Sequence, residues 1–473
     1  MAGSACLPSA PAFVPAGPWR VVADEGVTFP LGFFANGCDA GLRASGNGKC
    51  DLSMVYSALP AASAGCFTTN VMCAAPVSAC KAALKASETA QVVVVNAGQA
   101  NAATGTQGDL DALAQAKAAA RAVGLPTEPA EEEGPRTAAE SAAESAGAGA
   151  PPSPSPSPSS AFGSFPPRAL VASTGVIGKR MLMEPLLSGI PRLASALARG
   201  PEASRRAAAG ITTTDLALKQ AALEVTLSDG RCVRLGGMAK GSGMIAPNMA
   251  TMLAVVTCDA PVEPAAWRAM LAHAVQRSFN QITVDGDTST NDTVVALANG
   301  AVGGPPIAAG RRGRPGKDHA LLRDALTALL QALAKSIAWD GEGATMLLEC
   351  KVRGTRDDAD AARVAKSVVG SALVKAAMFG ANPNWGRIAC AAGYAGVPYA
   401  QEDVKIALGP FALMEGGQPL PFDVQAAHEY LERIGQEHGV AHVEVDVGTG
   451  PGEAVAWGCD LSYEYVKINV EYS

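Results

Sequence analysis

"KGSGMIAPNMATML", residues 240–253, opens on Gly241 and Gly243, carries Pro247 and Asn248, and settles into an apolar run only after Thr251. The run continues as "MLAVVTCDA" and reads as a buried strand. A flexible loop therefore delivers one hydroxyl residue, Thr251, to the start of a rigid element. A threonine hydroxyl is a weak nucleophile unless a base lies beside it, and one arrangement supplies both from a single residue. If the peptide bond between Ala250 and Thr251 is cut, the new α-amino group of Thr251 serves as base for its own side chain. The cut can be self-inflicted: the Thr251 hydroxyl attacks the Ala250 carbonyl, the amide shifts to an ester, and water completes the break. Such chemistry needs a glycine-permitted loop running into a strand, because the attacking oxygen must be held over the carbonyl. By shape alone, an ordinary glycine-rich turn is the alternative.

Outward from this loop the chain alternates strands and helices. "QVVVVNAGQANAATG" gives a buried strand, residues 91–95, running into an Asn/Gly loop and then the helical pattern "DLDALAQAKAAARAVGL". From Pro126 to Pro167 the text becomes acidic and then Ser-Pro repetitive. Such a composition cannot bury enough apolar surface to order itself, so a disordered insertion is expected, with a domain boundary as the alternative. "ALVASTGVIG" resumes as a strand, followed by a helix over 184–199 and a strand over 222–227. "AAWRAMLAHAVQRSF" and "HALLRDALTALLQALAKSIA" have helical period, whereas "ATMLLECKV" and "AHVEVDVG" alternate as strands do. The pattern is α+β or α/β with many strands and no solenoid repeat.

The totals narrow the function. At 473 residues the chain holds more than one small core. A net charge of -7 argues against nucleic acid or an anionic membrane as the main partner. No stretch approaches the roughly 20 apolar residues needed to span a bilayer. Eleven cysteines, an odd number without any CxxC pair, include Cys66, Cys73, Cys80, Cys232, Cys258, Cys350, Cys390 and Cys459 in apolar surroundings. They read as buried reduced thiols of an intracellular protein. The N-terminal tip, residues 1–20, lacks the basic start and apolar centre of a secretory signal; an organelle transit remnant is the alternative, for which its Arg and Ser content is low.

Three motifs are set aside. "GNGK" at 46–49 lacks phosphate-loop spacing. "DGDTSTND" at 285–292 has Thr290 where a calcium loop needs Gly and Ala296 where it needs Glu. "HEYLE" at His428 is not a zinc motif, and five histidines without pairing leave little for a His triad or metal centre.

"GGMAKGSGMIAPNMATMLAVVTCDA" (236–260) closely resembles the autoprocessing segment of the ornithine acetyltransferase (glutamate N-acetyltransferase) family of arginine biosynthesis. The resemblance continues through "CFTTN" (66–70), "NAGQANAATG" (96–105), "STGVIG" (173–178), "TTTD" (212–215) and "TVDGDTSTND" (283–292). It resumes at "DGEGAT" (340–345), "LVKAAMFGANPNWGRIACAAGYAG" (373–396) and "AWGCDLSYEYVKINVEY" (456–472). It implies an α+β fold of layered sheets covered by helices, an N-terminal-nucleophile-like sandwich. It also implies an α chain (1–250, with residues 21–250 carrying the 126–167 insertion) and a β chain (251–473), cleaved between Ala250 and Thr251 and paired as a heterotetramer of two each.

Carried over residue by residue, the resemblance makes Thr251 the nucleophile and Thr174 with Gly175 the oxyanion pair, a hydroxyl and a backbone N–H. Lys240 becomes a binding lysine for an amino-acid carboxylate, and Glu342 a binding acid for an amino group of ornithine. In "TTTD" the binding threonine is Thr213 or Thr214, with Thr213 preferred. Asn469 matches a binding asparagine. Ser473 stands four residues after it, where the family usually places Thr or Ser five residues after. Asn382 replaces the usual Asp of "GANPNW".

The implied reaction passes acetyl from N-acetylornithine to Thr251 and then to glutamate, by ping-pong steps. No metal or redox cofactor is implied, and acetyl-CoA is a substrate only in a bifunctional version. A self-cleaving N-terminal threonine aminopeptidase or amidohydrolase would use the same nucleophile with water as acceptor, and an uncleaved regulatory member is a third reading. Expected surroundings are intracellular, without membrane or nucleic acid: plastid stroma, or otherwise cytoplasm or mitochondrion.

Overall fold

The computed structural model describes residues 7–43, 48–128, 165, 166, 168–246, 252–310 and 316–471. Ala250, Thr251, Ser473 and nearly all of the 126–167 insertion lie outside them. The described chain is mixed α+β, with two sheets and helices packed over them.

The larger sheet contains β1 (Arg20–Val21), β2 (Phe33–Cys38), β3 (Leu52–Phe67), β4 (Thr89–Gln99), β5 (Ala169–Val176), β6 (Lys219–Thr226), β7 (Cys232–Lys240), β8 (Leu253–Cys258) and β9 (Thr293–Ala298). Its order is β1-β6-β7-β8-β9-β3-β4-β5, with β2 on β3. The pairs β4–β5 and β8–β9 are parallel, and the others are antiparallel.

The apolar run at 252–260 is a strand because both of its faces are covered. Leu253 and Val255 enter one core, with the helices Ala75–Ala86, Gly105–Ala122 and Met183–Ser195. Ala254 and Val256 enter a second core, with the helices Pro264–Gln276 and Lys317–Trp339. A strand buried on both sides has no polar alternation to show, which is why the sequence reads as a continuous apolar run.

The second sheet contains β10 (Leu347–Gly354), β11 (Lys405–Leu408), β12 (Phe411–Glu415), β13 (Gln418–Pro419), β14 (Val440–Asp446) and β15 (Gly450–Cys459), in the order β13-β12-β11-β14-β10-β15. Ala441, Val443 and Val445 of β14 are buried in a third core, whereas His442 and Glu444 are exposed. The alternation seen in "AHVEVDVG" marks a half-covered strand. The helix Lys317–Trp339 packs against β6 and β7 of the first sheet and β15 of the second, which joins the two.

Several elements differ from the sequence reading. The strand expected at 91–95 runs from Thr89 to Gln99, through Asn96, because Asn96 is buried and its side-chain amide donates to Gln99 O at 3.0 Å. The helix expected over 184–199 stops at Ser195, and a second helix follows, Pro201–Ala209. Two thiols expected to be buried are exposed: Cys232 begins β7 and Cys390 lies on the helix Trp385–Gly393. No helix among the described residues is long and apolar enough to cross a membrane.

Candidate active site

The antiparallel pairing of β6 with β7 and β7 with β8, followed by the parallel β8–β9 pair, places the start of β6, the end of β7 and the starts of β8 and β9 along one edge. A cavity of about 290 Å³ opens there. Thr174, Gly175, Thr213, Thr214, Lys240, Glu342 and Asn469 all line it, so every described candidate site residue meets in one place. Thr251 adjoins the first described residue of the β8 arm, Met252, whose carbonyl accepts the Thr293 N–H at 3.0 Å.

Thr174 and Gly175 end β5, where they pair with Ala97 and Gly98 of β4. Gly175 has φ +127°, and a Cβ on it would lie 2.3 Å from the Gly98 carbonyl carbon, so no other residue fits. Asn291 ties this strand end to the edge: its side-chain amide donates to Ala100 O at 2.6 Å and to Ser173 O at 2.9 Å.

Glu342 is buried and reaches the cavity from the turn after the helix Lys317–Trp339. Its N–H donates to Ser242 O at 2.8 Å, and Asn469 on the helix Tyr463–Glu471 donates Nδ2–H to Glu342 Oε2 at 2.8 Å. Asn469 therefore aims the carboxylate. A Cβ on Gly243 would stand 2.3 Å from that carboxylate, so the glycine leaves the space Glu342 occupies.

Lys240 ends β7 with its ammonium buried, donating to Thr213 Oγ1 at 3.4 Å. Burial pulls its pKa below the ordinary lysine value, while Asp215, Asp292 and Glu342 oppose that fall. Between the two candidate threonines, Thr213 is the one hydrogen-bonded to the lysine, and Thr214 lines the same wall.

In the "DGDTSTND" segment, Asp285 holds backbone. Asp285 accepts the Met244 N–H at 2.7 Å and the Ile245 N–H at 2.8 Å, which anchors the chain entering residues 247–251. Among the described residues, no group of three or more His, Cys, Asp or Glu comes together as metal ligands would.

Sequence reasoning missed Asp292. It is buried next to β9, burial raises its carboxyl well above the usual range, and it accepts the backbone N–H of Met252. Its Oδ2 has no hydrogen-bond partner. A buried carboxyl with an open oxygen beside the start of β8 is a candidate to take part in the chemistry there. It lies inside a matched block, but a polar run read as a turn gave it no separate signal. A larger cavity, about 810 Å³, borders the helix Lys317–Trp339 and the second sheet. Its charges pair among themselves, Lys335 with Glu349 and Arg277 with Asp358, and no expected site residue lines it.

A sequence profile described as the ArgJ family matches residues 34–132 and 157–473, and its gap falls inside the expected insertion. The chain is 47% identical over 467 residues to an "Arginine biosynthesis bifunctional protein ArgJ, chloroplastic" of Populus trichocarpa, covering 99% of this chain and 88% of the relative. It is 48% identical over 478 residues to the protein of the same name from Ostreococcus lucimarinus, covering 100% of this chain and 94% of that one. Among solved structures, a Mycobacterium tuberculosis ornithine acetyltransferase complexed with ornithine matches at 32% identity and a TM-score of 0.37, over 49% of this chain and 98% of that one.

Proposed function

The chain belongs to the ArgJ family, and from that premise we propose that it transfers acetyl from N-acetylornithine to glutamate through an acetyl-Thr251 intermediate. What supports this reading is the convergence of Thr174, Gly175, Thr213, Lys240, Glu342 and Asn469 on one cavity at the start of β8.

The chemistry begins with maturation. Thr251 Oγ attacks the Ala250 carbonyl and the C–N bond breaks, which frees the Thr251 α-amine and leaves the Ala250 acyl group as an ester on Oγ; water then hydrolyses that ester, releasing the Ala250 carboxylate and restoring the hydroxyl. In the first half-reaction that amine takes the Oγ proton as Oγ attacks the acetyl carbonyl of N-acetylornithine. The Thr174 hydroxyl and Gly175 N–H stabilise the oxyanion. The C–N bond then breaks, the α-ammonium protonates the departing ornithine amine, and acetyl remains on Oγ. In the second half glutamate's amine attacks the ester carbonyl, loses a proton to the Thr251 amine, and leaves as N-acetylglutamate while Oγ is reprotonated.

Lys240, on the Thr213 side, grips the amino-acid carboxylate, and Glu342, aimed by Asn469, takes the ornithine side-chain ammonium. The reaction calls for no resident cofactor. Acetyl-CoA enters as donor if the enzyme is bifunctional, as the relatives' names indicate for them. The chloroplastic relatives point to the plastid stroma, and the cleaved α and β chains would assemble two of each.

An amidohydrolase with the same nucleophile would release acetate, whereas Lys240 and Glu342 together favour an amino-acid acceptor. Intact-mass analysis of purified protein tests the reading. Two chains, 1–250 and 251–473, are expected, and with N-acetylornithine alone the second gains one acetyl group. A working enzyme with an unbroken 250–251 bond, or one releasing acetate instead of N-acetylglutamate, refutes it.

A further inference from the structure

Three charged side chains outside the reacting groups lie buried behind the cavity wall: Asp215, Lys219 and Asp340. Lys219 Nζ bridges the two carboxylates and also donates to Ala217 O at 3.3 Å. The remaining acceptor capacity goes to backbone amides of the cavity-forming segments. Asp215 accepts the Thr213 N–H at 2.9 Å on one oxygen and the Gly241 N–H at 2.8 Å on the other. Asp340 accepts the Leu216 N–H at 3.0 Å and the Ala217 N–H at 3.1 Å. The Asp340 carbonyl in turn accepts the Ser242 hydroxyl at 2.6 Å, and Ser242 O accepts the Glu342 N–H at 2.8 Å. Thr213, Lys240 and Glu342 come from three separate segments, and this network contacts each segment.

A buried ion cluster is a poor way to gain stability, since well-packed apolar residues of similar volume serve as well or better. Its use here needs another reason, and the wiring supplies one. Lys219 neutralises one of two carboxylates, so a net negative charge remains facing Lys240. We propose that Asp215, Lys219 and Asp340 are positioning residues for substrate binding: they hold the Thr213, Lys240 and Glu342 segments in register, and Asp215 supplies the counter-charge that keeps Lys240 an ammonium. The groups facing Lys240 are Asp215 from the turn before β6, Lys219 from β6, Asp292 from the segment before β9 and Glu342 from the turn after the long helix. Of the three acids, Asp215 acts on it most strongly.

This inference rests on the acetyl-transfer reading, and wild-type turnover of N-acetylornithine tests that reading by itself. In an active enzyme, Asp215→Asn removes a negative charge beside Lys240, so the lysine loses its proton more readily. The alkaline limb of kcat/KM for N-acetylornithine should move to lower pH by about one unit, with KM raised and kcat largely kept. Asp340→Asn damages the same network without touching that counter-charge, so KM should rise while the limb stays. A folded D215N enzyme with an unmoved limb, or equal limb shifts in D215N and D340N, overturns the proposal. If D215N does not fold, Ser242→Ala decides. It removes only the hydroxyl tie to Asp340, and a raised KM at unchanged kcat supports the proposal, whereas an unchanged KM overturns it.

Discussion

Gly243→Ala isolates the grip of Glu342 without touching a charged group. The new Cβ would stand 2.3 Å from the Glu342 carboxyl carbon and Oε2, and ordinary contact begins at 3.4 Å, so the carboxylate must retreat by about 1.1 Å. It can do so because it is the free end of a flexible side chain. Gly243 does not occupy the left-handed region, so alanine is compatible with the backbone. Global stability should therefore change by about 1 kcal/mol or less. The displaced carboxylate leaves the aim that Asn469 gives it from 2.8 Å. Losing one hydrogen bond to a charged group is worth about 1.5–3 kcal/mol, which is roughly a 10- to 150-fold rise in the KM for N-acetylornithine. The Thr251 chemistry is untouched, so kcat should change by less than about threefold. Steady-state kinetics beside thermal unfolding separate the two effects, and a double-mutant cycle with Glu342→Ala supplies the internal control. In the E342A background the added G243A should have no further effect on KM. A folded G243A enzyme with wild-type KM, or equal effects in both backgrounds, would show that Glu342 does not hold the substrate.

Thr174→Ala removes one oxyanion donor and should lower kcat by about 10²- to 10³-fold with little change in KM. Thr174→Ser should restore most of it, and a kcat within tenfold of wild type in T174A would remove Thr174 from the chemistry. Burial raises the Asp292 carboxyl, so whatever it adds to stability is full below its unfolded pKa and is lost as pH rises through the folded value. Asp292→Asn removes that loss, and the unfolding temperature at pH 8 should stay level or rise; a fall of several degrees would contradict it. Burial would raise Glu349, yet hydrogen bonds from His442, Lys335 and Trp457 bring its pKa down to about 2. Its contribution is present above the unfolded value of 4.5 and disappears as pH falls towards 2. Glu349→Gln should flatten the acid limb of the stability curve between those values, and an unaltered limb would mean that the carboxylate gains nothing from its partners.

The lining residues were legible because each sits in a matched block, and because strand-buried runs such as "MLAVVTCDA" carry their own signal. The contacts that make them a site were not. Asn469 aims Glu342 across 127 residues and Lys219 reaches Asp340 across 121, separations at which no local pattern records a pairing. Lys219 looks like a surface lysine at a strand start, yet it is fully buried. The strand β7 was hidden for a different reason. Gly236, Gly237 and Ala239 have weak strand propensity, and only the neighbouring β6 and β8 ladders hold them extended. Cys232 and Cys390 show the opposite failure: apolar neighbours in sequence do not fix which side of an element faces solvent.

The distinction between transfer and hydrolysis turns on how the cavity treats charge. A threonine with its own amine and an oxyanion pair will form an acyl-enzyme with either acceptor, so the nucleophile does not decide the outcome. Water needs no counter-charge, whereas an amino-acid acceptor brings a carboxylate that must be matched in a desolvated place. Lys240 is buried where an ammonium is disfavoured, and the acids around it oppose its loss of the proton. On the proposed reading, the acids around Lys240 keep it able to hold the carboxylate of N-acetylornithine as donor and then that of glutamate as acceptor.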